Sequence, residues 1–222
     1  AKIHQRFFKT GKGEYGAGDI FIGITVPDSR KLAIKYKDLP FGEIRELLKS
    51  KIHEERLIAL LILVHNFRLG SDPGRKEIFE YYLANTKYIN NWDLVDLSAD
   101  KIVGEYIALT ANPLPQGRGN ILIRLASSQN LWERRIAMIA TYAWIKRGEY
   151  ETTFEIAEKL IDDKHDLIQK AMGWMLREVG KRCGQQIEEE FLVRHYRQMG
   201  RTALRYAIER FAEKKRREYL FG

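Results

Sequence analysis

Trp92 and Asp96, in the segment Asn91-Trp92-Asp93-Leu94-Val95-Asp96, are the residues of this chain best spaced to do chemistry. At i and i+4 on a helix they project from one face, with Cβ atoms about 6 Å apart. A carboxylate beside an indole face joins a full negative charge to a cation-attracting quadrupole, a pair able to stabilise positive charge on a substrate. The same spacing suits a core tryptophan beside an acidic residue that favours the helix dipole. Local spacing alone leaves both readings open.

A second tryptophan bears on the choice. Lys170, Trp174 and Arg177 fall at i, i+4 and i+7 and so share a helical face. An aromatic between two cations suits a sugar–phosphate backbone better than a dry core. In Trp132-Glu133-Arg134-Arg135, cations stand at the start of a helical segment, where the dipole opposes them. Phosphate is a candidate partner for Arg134 and Arg135, and a salt bridge to Glu133 or a neighbouring helix is the alternative. Gly11-Lys12-Gly13-Glu14-Tyr15-Gly16 matches G-x-G-x-x-G, but neither a preceding strand nor a βαβ unit accompanies it, so a nucleotide cofactor is not expected. A loop touching a DNA backbone through Lys9 and Lys12 is the preferred reading.

The five histidines, His4, His53, His65, His165 and His195, have no second ligand at i+3 or i+4, so no metal site is expected. Cys183 is the single cysteine, which excludes an intrachain disulfide and favours a reducing compartment. The longest apolar run, Leu57 to Val64, is eight residues, well short of the roughly 20 that cross a bilayer. The start, AKIHQRFFKT, lacks a signal-peptide core, and the expected location is the cytoplasm, nucleoid-associated if the source is bacterial. A net charge of +8 favours anionic partners such as nucleic acid.

The elements that must position these residues read as helices. Beyond residue 26, amphipathic stretches alternate with short polar breaks, and period-two alternation is scarce. Thr25-x-x-Asp28 reads as a capping box with Pro27 in the first turn, and Gly70, Gly148 and Gly184 read as helix stops. Asn112 to Gly119 reads as a short loop, and Lys214 to Arg217 as the solvated end of the last helix. Ala59, Ala99, Ala137, Ala171 and Ala203, each set among aliphatics, recur at intervals of 40, 38, 34 and 32 residues. That period resembles the helix pairs of HEAT and armadillo repeats, in which stacked pairs bury a continuous core. The expected fold is all-α, a HEAT-like or armadillo-type α-solenoid of about six helix pairs with a concave basic face, forming a single domain over residues 1–222.

Separated blocks together resemble the AlkD-like DNA alkylation repair family of HEAT-like DNA glycosylases. Phe21-Ile22-Gly23-Ile24-Thr25-Val26-Pro27-Asp28-Ser29-Arg30 is similar to the family's F-[LI]-G-I-x-x-P-x-x-R, and Trp92 to Asp96 to its W-D-x-V-D. Trp132 to Arg135 is similar to W-x-x-R, and Gln169 to Glu178 to Q-K-A-x-G-W-x-L-R-E. Thr25 departs from members that carry glutamine there. The resemblance implies that Asp96 is the catalytic carboxylate, that Trp92 and Trp174 are the two cleft tryptophans, and that Arg135 contacts the DNA backbone. Thr25, Arg30, Arg134, Lys170 and Arg177 join it as expected DNA-binding residues. The implied activity is excision of cationic N3- or N7-alkylated purines from duplex DNA, without base extrusion, metal or organic cofactor, by a monomer with no obligate protein partner. A non-catalytic binder of damaged or branched DNA and a protein-binding HEAT scaffold are the alternatives.

Overall fold

The computed structural model describes residues 7–110 and 119–222. The described residues are helical apart from turns and an isolated parallel bridge between Ile20 and Ile52. They group into two compact units, Ala1–Tyr106 and Ile107–Gly222. The division falls inside a helix, Glu105–Thr110. Residues 112–118 of the expected Pro/Gly loop lie outside the described residues.

The first unit contains α1 (Val26–Lys35), α2 (Phe41–Leu48), α3 (His53–Leu69), α4 (Asp72–Ala84) and the short α5 (Trp92–Asp96). One turn of π-helix, Asp100–Gly104, leads into α6 (Glu105–Thr110). The Thr25 hydroxyl caps α1, accepting from the Asp28 N–H at 3.4 Å and donating to the Asp28 carboxylate at 2.7 Å. The run Leu57 to Val64 lies in α3, which packs against α1, α2 and α4. Apolar residues on most of its circumference are what a helix covered on several sides requires. Among the described residues no helix is long and apolar enough to cross a membrane.

The second unit contains α7 (Gly119–Ala126), α8 (Leu131–Ala140), α9 (Tyr142–Ile145), α10 (Glu151–Lys159), α11 (Asp166–Arg182), α12 (Gln185–His195), α13 (Arg201–Ala207) and α14 (Glu213–Phe221). Its centre is α11, which packs against α8, α12 and α13. A side-chain carbon at Gly173 would collide with the Ala203 carbonyl and the Tyr206 Cβ, so backbone contact between α11 and α13 depends on that glycine. The five periodic alanines are completely buried, in keeping with small residues at helix crossings. The basic run Lys214 to Arg217 opens α14 rather than closing it. Carboxylates compensate the unfavourable dipole: Lys215 pairs with Glu189 of α12, and Arg216 with Glu213 at 3.4 Å.

Glu188 on α12 is buried in the space left by the missing side chain of Gly180, and its Oε1 has no hydrogen-bond partner among the described residues. Burial, with the charge of Glu189 adding to it, pushes its carboxyl up to about 8. The group is protonated in the folded chain at neutral pH. Its contribution to stability is present below the ordinary 4.5 and is lost as pH rises through about 8. Glu188→Gln, which keeps the neutral shape, is expected to match the parent melting temperature near pH 5 and exceed it by several degrees at pH 8.5. Calorimetry at the two pH values checks this, and equal melting temperatures at pH 8.5 would refute it.

Candidate active site

Asn91 starts α5: its side-chain Oδ1 accepts the Trp92 N–H at 2.8 Å. Trp92 and Asp96 then lie one turn apart on the same face, both half-buried. The intervening carboxylate takes a different position. Asp93 is buried, and its Oδ2 lies 2.8 Å from His53 Nε2 on α3. His53 Nδ1 lies 3.3 Å from Asp19 Oδ2, while Asp19 Oδ1 accepts from Arg56 Nη2 at 2.8 Å. Asn91 Nδ2 closes the group by donating to Asp19 Oδ2 at 3.3 Å. The cluster therefore ties α5 to the start of α3 and to the segment before α1.

Electrostatics within the cluster are self-consistent. Burial would raise the Asp19 carboxyl, but the hydrogen bond from His53 and the Arg56 charge outweigh it and hold the group below its ordinary value. Burial would lower His53, but its bonds to Asp19 and Asp93 prevail and raise it. With His53 protonated, two cations and two carboxylates balance in a buried cluster, where an unmatched charge is costly. Among the described residues no group of histidine, cysteine and carboxylate side chains is arranged to hold a metal ion.

Aromatic packing supports the indole. Phe8 stacks on Trp92 with centroids 5.2 Å apart, Phe21 stacks on Phe8 at 4.8 Å, and His53 stacks on Phe21 at 4.4 Å. The segment carrying Phe21 is pinned by Glu54, whose carboxylate accepts the N–H groups of Ile22 at 3.1 Å and Gly23 at 2.7 Å. Gly23 adopts φ 97°, a conformation that side-chain-bearing residues rarely take, which accounts for glycine at that position. The glycine-rich stretch Gly11 to Gly16 forms turns. A Cβ at Gly16 would lie 2.5 Å from the Phe8 carbonyl and 3.5 Å from Asn91 Nδ2, so this glycine lets the Phe8 segment approach the start of α5. Lys9 and Lys12 on this stretch are exposed.

The remaining expected site residues have diverse settings. Arg30 is exposed on α1, and the exposed Thr25 is engaged in its cap. On α11, Trp174 is half-buried, Lys170 pairs with Asp166 at 2.6 Å, and Arg177 pairs with Glu209. Arg134 has protein partners: Asp163 at 2.7 Å and the carbonyls of Ser128 and Gln129, both at 3.0 Å. Arg135 is buried and donates to the Leu167 carbonyl. These two arginines brace the start of α11 against α8, which supplies the partners their position at a helix N-terminus demands. Asp19, His53, Arg56, Asn91 and Asp93 were invisible to local spacing, because His53 lies 34 and 40 positions from the carboxylates it bridges. A histidine at the start of the helix that carries the longest apolar run is the signal the sequence offers.

A family model described as "DNA alkylation repair enzyme" matches residues 1–211. Among curated proteins, no sequence match is found. Of solved structures, a predicted DNA alkylation repair enzyme from Enterococcus faecalis superposes with a TM-score of 0.71 at 20% identity, over 96% of this chain and 95% of that one. AlkD2 from Streptococcus mutans superposes with a TM-score of 0.58 at 17% identity, over 95% and 99% of the two chains. The protein smu.31 from Streptococcus mutans UA159 gives 0.57 at 17% identity, over 85% and 93%. At these identities the structural likeness speaks to the fold, an all-helical repeat architecture of the kind expected from the alanine period.

Proposed function

The chain belongs to the DNA alkylation repair enzyme family, and from that premise we propose that it is a DNA glycosylase acting on cationic N3- or N7-alkylated purines in duplex DNA. The observation that carries this reading is the division of labour on α5. Asp93 is committed to the buried cluster, and that commitment fixes Trp92 and Asp96 on the half-buried face.

Alkylation at N7 leaves a positively charged purine that is already a good leaving group. As the C1′–N9 bond breaks, its electron pair neutralises the base and the sugar acquires oxocarbenium character. Asp96 stabilises that charge and orients the water whose oxygen bonds to C1′, as carboxylates do in glycoside hydrolysis. The water's proton passes to the carboxylate and then to solvent, leaving an abasic site. The Trp92 indole adds its quadrupole beside the sugar, and the family resemblance assigns a like role to Trp174. The lesion is handled without extrusion into a pocket, in contrast to base-flipping enzymes. Arg30, with Lys170 and Arg177 exchanging their carboxylate partners for phosphate, would hold the backbone. Arg134 and Arg135 would contribute by fixing the start of α11. A net charge of +8 supports an anionic partner, and affinity for duplex DNA should fall steeply with salt.

Base release from duplex DNA carrying 7-methylguanine, measured in a single turnover with excess protein, tests the reading. Free 7-methylguanine is the expected product. Tight, salt-sensitive binding with the base retained would instead identify a non-catalytic binder of damaged DNA, and salt-insensitive or absent binding a protein scaffold.

A further inference from the structure

We propose, building on the glycosylase reading, that His53 is a positioning residue: as an imidazolium bridging Asp19 and Asp93, it sets the placement of α5 and hence the angle at which Trp92 and Asp96 meet the sugar. The geometry suits the doubly protonated ring. Nδ1 faces a carboxylate oxygen at 3.3 Å and Nε2 faces another at 2.8 Å, so a neutral imidazole would turn a lone pair toward one of them.

His53 reaches the candidate catalytic pair by three routes. Through Asp93 it holds α5 directly. Through Asp19 it engages Asn91, the residue that caps Trp92. Through the stack Phe21–Phe8–Trp92 it sits at the far end of the rings that support the indole. The charged groups facing it are Asp19 from the segment before α1, Asp93 from α5, and Arg56 one turn along its own helix. With the ring charged, two cations balance two carboxylates. Loss of the proton leaves one buried negative charge unmatched, and the relief available is movement of α5 away from α3. His53 acts through α5 and touches no reacting atom.

The consequence is a titration. The two carboxylates raise His53 above its ordinary 6.5, so its anchoring is complete in acid and is lost as pH rises through the raised value. In nitrogen-15 NMR spectra of the free protein, the His53 ring and the Trp92 indole N–H are expected to titrate with one midpoint. Single-turnover excision of 7-methylguanine is expected to fall by about 10-fold or more above that midpoint, the scale of a misplaced catalytic group. Asp93→Asn, which keeps the shape and removes one charge that raises His53, should lower the midpoint in all three readouts. In His53→Gln the Trp92 signal and the rate should both lose this titration.

A Trp92 resonance indifferent to the His53 titration overturns the proposal, whether or not base is released. An Asp93→Asn midpoint equal to the parent's does the same. Coupled titration in a protein that releases no base leaves the positioning role standing and removes the glycosylase reading. Should His53→Gln fail to fold, the parent and Asp93→Asn measurements decide.

Discussion

Asp96→Asn is expected to slow single-turnover release of 7-methylguanine by about 10²–10³-fold, the usual loss when an electrostatic stabiliser of a transition state is removed. The substitution preserves shape and takes away only the charge that would face the oxocarbenium-like sugar. The alkylated base is already cationic in the ground state, so leaving-group departure needs little acid assistance, and the burden falls on stabilising the sugar. Affinity for the duplex should stay within a few-fold of the parent, because a carboxylate beside phosphates does not favour binding. A rate within threefold of the parent, as an order-of-magnitude threshold, would remove Asp96 from the mechanism. Asp93→Asn is the informative contrast: the carboxyl lost is buried against His53, so its effect should follow the displacement of α5 and the pH at which it occurs.

Asp19→Ala is expected to cost about 3–5 kcal/mol of folding stability, the scale for removing one partner of a buried charge cluster. The variant takes from Arg56 its carboxylate partner, leaves His53 with Asp93 alone and deprives the Asn91 Nδ2 of its acceptor. Urea denaturation at neutral pH measures it. The parent should show the same dependence through acid titration. Because the folded-state carboxyl lies below its ordinary 3.8, its stabilisation is present above that value and is lost as pH falls through the lowered one. A cost below about 1 kcal/mol would mean that the cluster is incidental to the first unit, since that is the scale of an exposed pair.

Much of the framework was legible because it rests on periodicity and local chemistry. The alanine spacing located the helix crossings, and Thr25 with Asp28 and Pro27 located the start of α1. The shared face of Trp92 and Asp96 follows from helix geometry alone. Long-range pairing was not legible in the same way. Asp93 and Asp96 are equivalent in the sequence block, and only the fold sends one to His53 and leaves the other half-exposed. The arginine pair illustrates the converse. Its unfavourable place at a helix N-terminus correctly indicated a need for partners, and the fold supplies Asp163 and backbone carbonyls from the chain itself. The basic run opens α14 instead of closing the preceding helix, and the break after the 3-10 turn Ile208–Arg210 has no proline to announce it.

The central claim, that this site stabilises a sugar cation while a charged base departs, is tested most directly by comparing two lesions in one duplex sequence under single-turnover conditions. One lesion is 7-methylguanine, cationic and labile. The other is O6-methylguanine, of similar size and neutral. Release of free 7-methylguanine with O6-methylguanine left intact is the predicted result. Retention of both bases, or release of both at similar rates, would contradict the account, the first by denying the chemistry and the second by showing that base charge does not drive it.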